Sequence, residues 1–387
     1  MVEAVYFILM KLALFFTYGI SARLWKEKGL LDREKRIYEE FIKNGPVDKV
    51  YWFTYGSTDK QIEGELKKGI EIINMPSIYR SKIGQVFYSF LIPIIYCRIL
   101  KSVDILRTNQ MSGSWTAVIA KILFKKKLIV RTGFTWSKFK FRTSPVALKT
   151  LIIKIIERIA CRFSDVMIMS APHDSDYMKR SYGLNTNIVV IPNYVDTDAF
   201  KPLNVQKVNG SICFIGSLTD AKNLFSLIDA MVGLPCKLTI IGSGFQRENL
   251  KKYSKERGVE VDFRHNIPNS KLPKVLNQNE VFILPSFYEG TPKVLLEGMA
   301  CGLPCIGSNV EGIKEIIKHK ENGYLCETNA ESIRQAILDV LADRSLRENI
   351  GQNARRTILG NFSLRGSMKK ELAIYESFCR FSGEYEE

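Results

Sequence analysis

The stretch "VFILPSFYEGTPKVLLEGMACGLPCIGS", residues 281–308, reads as one structural unit. An apolar run at 281–286 predicts a buried strand, and a second at 304–308 predicts another. Between them "EGTPK" opens a helix, with Thr291 as N-cap and Pro292 in the first helical position. Gly302 and Pro304 end it. Strand, helix, strand in so short a span is a parallel crossover. Two acids stand in it. Glu289 precedes the helix, and Glu297 lies about five residues inside, roughly 7 to 8 Å along the axis. Set among Val294, Leu295, Leu296 and Met299, Glu297 needs a partner, because an unpaired buried carboxylate is costly.

The same rhythm runs through the chain. Apolar strands are expected at 11–18, 48–54, 71–74, 103–106, 127–131, 165–169 and 187–191, with helices at 32–44, 84–101 and 146–163. A polar, turn-rich section, "PNYVDTDAFKPLNVQKVNG", interrupts the pattern. It resumes at 211–217, 236–244, 261–265, 281–286 and 304–308. The fold class is α/β, two doubly wound parallel-sheet domains: 1–203, 204–364, and a C-terminal helix over 365–387. The 387-residue length fits two cores. Ligands of such sheets sit beyond the carboxyl ends of strands. In the second domain those ends are Gly216-Ser217, Gly242-Ser243-Gly244 and the turn at Glu289.

The net charge of +16 is concentrated in the first half: residues 1–200 hold 31 Lys/Arg against 18 Asp/Glu. Between Arg80 and Lys149 stand 14 basic residues and one acid, Asp104. Such a face attracts anionic lipid, phosphorylated acceptors or nucleic acid. Eight scattered cysteines without a CxxC pair point to reduced thiols in a cytosolic compartment. Three distant histidines argue against zinc. Two DxD triplets, Asp174-Ser175-Asp176 and Asp196-Thr197-Asp198, read as caps and turns rather than metal ligands. The apolar N-terminus, interrupted by Lys11, is marginal for a membrane span. We read 11–18 as a buried first strand and Met10-Lys11 as the start, with residues 1–9 an upstream extension, in preference to a membrane anchor.

A ligand lying across the start of the 292–302 helix would meet Glu289 at one extremity and Glu297 at the other. Free helix amides and Lys293 would face its middle. Vicinal hydroxyls donate well to carboxylates. Sugar, pyrophosphate and ribose in that order describe a nucleoside diphosphate sugar.

"EGTPKVLLEGMACGLPCIGS" resembles the E-x7-E signature of the large family of retaining GT-B glycosyltransferases (family 4, group 1). "VIPNYVDTDAF" (190–200), "CFIGSLTDAKNL" (213–224), "LTIIGSG" and "ENGYLCE" (321–327) resemble further family segments across the second domain. The first domain matches more loosely, through "FFTYGIS", "LLDREKRIY" and "RTGFTWS". The resemblance implies that Glu289 binds the transferred sugar beside the reacting carbon and that Lys222 neutralises the leaving phosphates. Gly290, Thr291, Pro292 and Lys293 would hold sugar and pyrophosphate, and Glu297 the ribose. Gly216, Ser217 and Gly242 would border the donor, with Arg264 and Ile267 in the base-binding segment. Ser217 stands where the family usually has an arginine, so one phosphate cation is missing, and Lys293 or Arg264 could compensate. On the acceptor side the resemblance points to Gly19, and to Arg131 or Thr132 in place of the family's histidine.

The implied reaction is metal-independent transfer with retention, without cofactor. The electrostatics of Lys222 and the helix N-terminus would stabilise the departing diphosphate. Basic and aromatic residues in "RTGFTWSKFKFR" (131–142) and the apolar 84–101 segment favour a polyprenyl-diphosphate-linked glycan acceptor. They also favour a cytoplasmic protein in peripheral contact with an anionic membrane. Nucleic acid is not expected as a partner, since no recognition motif is present. The competing readings are a non-hydrolysing sugar-nucleotide epimerase and a non-catalytic sugar-nucleotide sensor.

Overall fold

The computed structural model describes residues 9–138, 147–183 and 187–380. The chain divides into two compact units. One runs to Pro192 and takes in the residues from Met368 on; the other is Asn193–Ser367. The division comes before the boundary expected at 203/204. Arg355 accounts for this locally, because its guanidinium donates to the carbonyls of Thr197, Phe200 and Ala300 and ties the 193–203 segment to the second unit. The reading of residues 1–9 as an extension lies outside the described residues except for Leu9, as does 139–142 of the aromatic-basic stretch.

Among the described residues the first unit holds seven strands, β1 (Met10–Phe15), β2 (Val47–Phe53), β3 (Ile70–Ile73), β4 (Ile105–Thr108), β5 (Lys127–Thr132), β6 (Val166–Met169) and β7 (Ile188–Val190). All are parallel, in the order β3-β2-β1-β4-β5-β6-β7. β1, β4 and β6 are almost wholly buried, as sheets covered on both faces require. The first strand ends at Phe15 rather than near Gly19, because its pairing with Phe53 and Thr108 stops there.

Helix α1 (Leu31–Asn44) buries Leu31, Ile37, Tyr38 and Phe41. Asp32 and Glu34 lie in its first turn and Lys43 in its last, matching the helix dipole. On the face of the sheet holding Ala13, Phe53 and Leu106 lie α2 (Lys82–Ile95), α3 (Ser114–Phe124) and α4 (Ala147–Phe163), with α3 packed between the other two. The single helix expected at 84–101 is interrupted: α2 stops at Ile95 and a short helix resumes at Cys97. Pro93 has no N–H for the Ser89 carbonyl. Thr116 Oγ1 donates to that carbonyl instead, at 2.6 Å.

In the second unit β8 (Ser211–Ile215), β9 (Lys237–Ile241), β10 (Val261–Arg264), β11 (Val281–Leu284), β12 (Cys305–Ser308) and β13 (Tyr324–Cys326) form a parallel sheet. Its order is β10-β9-β8-β11-β12-β13. Helices α5 (Leu224–Met231), α6 (Arg247–Glu256), α7 (Lys293–Ala300) and α8 (Arg344–Asn361) are among those that surround it. The strand order reverses between β8 and β11. The loops after those two strands therefore flank the crevice where doubly wound sheets take ligands.

Helix α9 (Leu364–Arg380) begins in the second unit and from Met368 belongs to the first. There Glu371 is fully buried, paired with Arg107 of β4 at 2.7 Å and Arg131 of β5 at 2.6 Å. Arg107 also donates to Tyr38. Burial pushes the Tyr38 hydroxyl up to about 12, against the pull of Arg107.

Candidate active site

Lys222 closes a single 3-10 turn, Asp220–Lys222, after β8, and Asn223 follows in a left-handed conformation. The Asn223 side chain donates to the carbonyls of Pro285 (3.1 Å) and Thr328 (2.7 Å). The Phe287 amide reaches back to the Ala221 carbonyl at 2.9 Å. These bonds lace the loop after β8 to the loop after β11. They bring the Lys222 ammonium into an ion pair with Glu289. Ser286 Oγ donates to the same Glu289 oxygen at 2.7 Å. The two side chains keep 16% and 11% of their surface exposed, so the pair is sheltered yet open to a ligand.

Glu289 and Gly290 are fixed from above by Gly312. Its φ is +81°, and a Cβ there would stand 1.8 Å from the Gly290 carbonyl oxygen. From the other side Asn193 Nδ2 donates to the Thr291 carbonyl at 2.8 Å. The helix start differs from expectation. Pro292, not Thr291, takes the N-cap position of α7, with ψ 109°, and offers no side-chain cap. The amides of Leu295 and Leu296 turn back to the Pro292 carbonyl. The positive end of the α7 dipole therefore lies at Lys293, whose ammonium sits 5.9 Å from the centre of the Tyr194 ring. The C-terminus ends as the glycine and proline indicate. The Gly302 and Leu303 amides donate to the Met299 and Gly298 carbonyls, the paired bonds of a Schellman turn.

Glu297 is buried, 2% exposed, and Asn269 Nδ2 donates to it at 2.9 Å. The neighbouring Cys301 thiol is pushed up to about 12, first by burial and then by the Glu297 carboxylate.

Gly216 and Gly242 form the floor after β8 and β9. Gly242 has φ +153°, and a Cβ there would meet the Gly216 carbonyl oxygen at 1.8 Å. Ser217 is exposed. Arg264 ends β10, half-exposed and paired with Asp262 at 2.7 Å. Ile267 packs against the second unit's core. Arg247 clamps the ends of β9 and β10 by donating to the Gly242, Phe263 and Arg264 carbonyls. Gly19, Arg131 and Thr132 belong to the first unit. Gly19 lies in a turn closed by the Ile20 amide on the Thr17 carbonyl (3.0 Å), and Thr132 Oγ1 donates to the Phe134 carbonyl (2.7 Å). The Arg131 guanidinium is paired with Glu371 at 2.6 Å and keeps 12% of its side-chain surface exposed.

Asn269, Ser286, Asn193 and Gly312 are the site residues that sequence reasoning passed over. Asn269 stands two residues after Ile267 of the base-binding segment, and Ser286 ends the strand run, so each stood next to a recognised feature. In the DxD triplets, Asp174 accepts from Thr135 at 2.7 Å and Asp196 from the Asp198 and Ala199 amides. Among the described residues no group of three or more His, Cys, Asp or Glu could hold a metal ion.

Comparison with known proteins places the chain in a family. The family described as Glycosyl transferases group 1 matches residues 195–357, and Glycosyltransferase Family 4 matches residues 36–199. An uncharacterised glycosyltransferase of Methanocaldococcus jannaschii is 34% identical over 190 residues, 47% of this chain and 49% of that protein, so the chain matches about half of its length. The Escherichia coli UDP-Gal:alpha-D-GlcNAc-diphosphoundecaprenol alpha-1,3-galactosyltransferase is 26% identical over 298 residues, 70% of this chain and 75% of that one. The sucrose-phosphate synthase of Thermosynechococcus elongatus superposes with a TM-score of 0.80 at 19% identity, covering 96% of this chain and 99% of the other. With a match to each half of the chain and the strand order of two doubly wound sheets, the protein belongs to the group 1, family 4 glycosyltransferases and has the GT-B fold.

Proposed function

We propose that the protein is a retaining, metal-independent hexosyltransferase. It moves a hexosyl or N-acetylhexosaminyl group from a UDP-sugar to a lipid-linked glycan in surface-polysaccharide or lipid-oligosaccharide synthesis, at the cytoplasmic face of a membrane. The observation that carries this reading is the Lys222–Glu289 pair, set between the β8 and β11 loops. The resemblance to an enzyme named for UDP-Gal and a diphosphoundecaprenol acceptor supports the substrate classes.

In this mechanism the donor exchanges partners within the pair. Its pyrophosphate takes Lys222, and Glu289 turns its carboxylate to hydroxyls of the transferred sugar. Glu297, positioned by Asn269, accepts from the ribose hydroxyls. As the glycosyl–phosphate bond breaks, negative charge grows on the diphosphate. Lys222 and the positive end of α7 stabilise that charge where it develops. The leaving phosphate oxygen takes the acceptor's proton, so no separate base is needed. Ser217 adds no cation, and Lys222 therefore carries the side-chain charge of that corner.

The test is a panel of UDP-, GDP- and TDP-sugars, incubated with and without a polyprenyl-diphosphate-linked glycan and EDTA. We expect release of UDP from one donor, dependent on the acceptor and indifferent to EDTA. The product's anomeric configuration, read by NMR, should match the donor's. Inversion, or loss of activity in EDTA, contradicts the mechanism. Release of a free epimerised sugar nucleotide identifies an epimerase, and tight donor binding without turnover identifies a sensor.

A further inference from the structure

Two helices of the first unit carry a second apolar stripe facing away from the core. On α2 the buried positions Tyr88, Ser89 and Ile92 face the sheet, while Ile83, Val86, Phe87, Phe90 and Ile94 are 45–71% exposed. Their spacing, three and four residues apart, puts them on one line of the helix. α4 repeats the pattern: Ile153 and Ala160 are buried, and Leu148, Leu151, Ile152 and Ile155 are 50–67% exposed. Between them α3 exposes Ile122 (55%) and Leu123 (54%). Three neighbouring helices thus present large apolar side chains together, well beyond the scatter of a soluble surface.

Charge distinguishes what this face fits. The three helices contain one carboxylate, Glu157, and it is fully buried, accepting from the Ser137 amide (2.9 Å) and the Tyr182 hydroxyl (2.6 Å). The exposed charged side chains are all basic: Lys82 on α2, Lys149, Lys154, Arg158 and Arg162 on α4, and Lys125 just after α3. A second copy of the face would bring like charges together. An anionic lipid surface instead takes apolar side chains below the headgroups and basic ones among them. No helix among the described residues is long and apolar enough to cross a membrane, consistent with helices lying along the surface.

We propose that α2, α3 and α4 together form an interfacial face that docks the protein on an anionic lipid bilayer. The start of α2 adjoins the Gly19 loop. The Tyr18 hydroxyl donates to the Lys82 carbonyl at 3.4 Å, and a Cβ on Gly19 would lie 3.5 Å from Gln85 Oε1. Docking therefore brings to the headgroup level the loop assigned to a lipid-linked acceptor, a consequence that rests on the proposed transferase reading.

The experiment is co-sedimentation of the full chain with phosphatidylcholine vesicles, with and without phosphatidylglycerol, alongside separate measurement of UDP binding. The wild type should sediment with the anionic vesicles only, and less so at high salt. Lys149→Ala/Lys154→Ala/Arg158→Ala should lower partitioning about a hundredfold, at about fivefold per basic residue. Phe87→Ser/Phe90→Ser should lower it by about a hundredfold or more. Both variants should bind UDP as the wild type does and keep its circular dichroism and urea-unfolding profile, which establishes that both units fold. Absence of vesicle binding, equal binding to neutral vesicles, or a dimer that Phe87→Ser/Phe90→Ser splits would each overturn the proposal. Vesicle binding without sugar-nucleotide turnover would uphold the face and remove the transferase reading instead.

Discussion

Two of the chain's ion-paired carboxylates, Glu371 and Glu289, live in different surroundings. Glu371 lies in the first unit's interior between Arg107 and Arg131, fully buried, with all three side chains fixed on the strands β4 and β5 and the helix α9. Glu289 lies in a loop of the second unit with one cation, Lys222, from another loop, and both remain partly exposed. An arginine fork grips a carboxylate rigidly, whereas a lysine ammonium is a mobile point charge that can change partners. The first arrangement is suited to holding a helix in place. The second is suited to giving way to a ligand that carries its own anion.

The comparison can be broken in three places. The largest effect is expected from Glu371→Ala, which strands the buried Arg107 guanidinium and unpairs Arg131. It should cost about 3–5 kcal/mol of stability in urea unfolding. A loss under about 1 kcal/mol, the range of an exposed pair, would mean the triad is no anchor. Next comes Lys222→Ala, with the opposite profile: kcat about 10²- to 10³-fold lower, and a smaller loss of stability than in Glu371→Ala. A Lys222→Ala protein that unfolds as readily as Glu371→Ala would erase the distinction. The smallest is Asn269→Ala, which removes the neutral donor from Glu297. It should lower stability by about 1.5–3 kcal/mol and raise KM for the donor more than it lowers kcat. An unchanged KM would remove Glu297 from the donor site.

Local patterns made much of this legible. Runs such as "VFILPS" and "KLIVR" are strands because both faces of a parallel sheet are covered, and the acid spacing around "EGTPK" is local chemistry within a single turn and helix. The partners of those acids were harder to read. Asn269 is 28 residues from Glu297, and Lys222 is 67 residues from Glu289; the first was missed and the second came only through the family resemblance. The pairing of Arg131 with Glu371, 240 residues away, was out of reach of any local pattern. Pro93 sits inside α2, and the donor its backbone lacks toward the Ser89 carbonyl comes from Thr116 on another helix, a partner no local pattern shows. Thr291 looked like an N-cap by residue type, but Asn193 and Gly312 hold the turn, so Pro292 enters the cap position.

The central claim is that donor binding exchanges the partners of Lys222 and Glu289. Equilibrium binding of UDP, which carries the diphosphate but no sugar, tests it most directly in the wild type, Lys222→Ala and Glu289→Ala. We predict that Lys222→Ala weakens UDP binding, while Glu289→Ala leaves it unchanged or tightens it by releasing the lysine. Equal weakening by both substitutions would contradict the exchange, and would make the pair a structural tie like the one around Glu371.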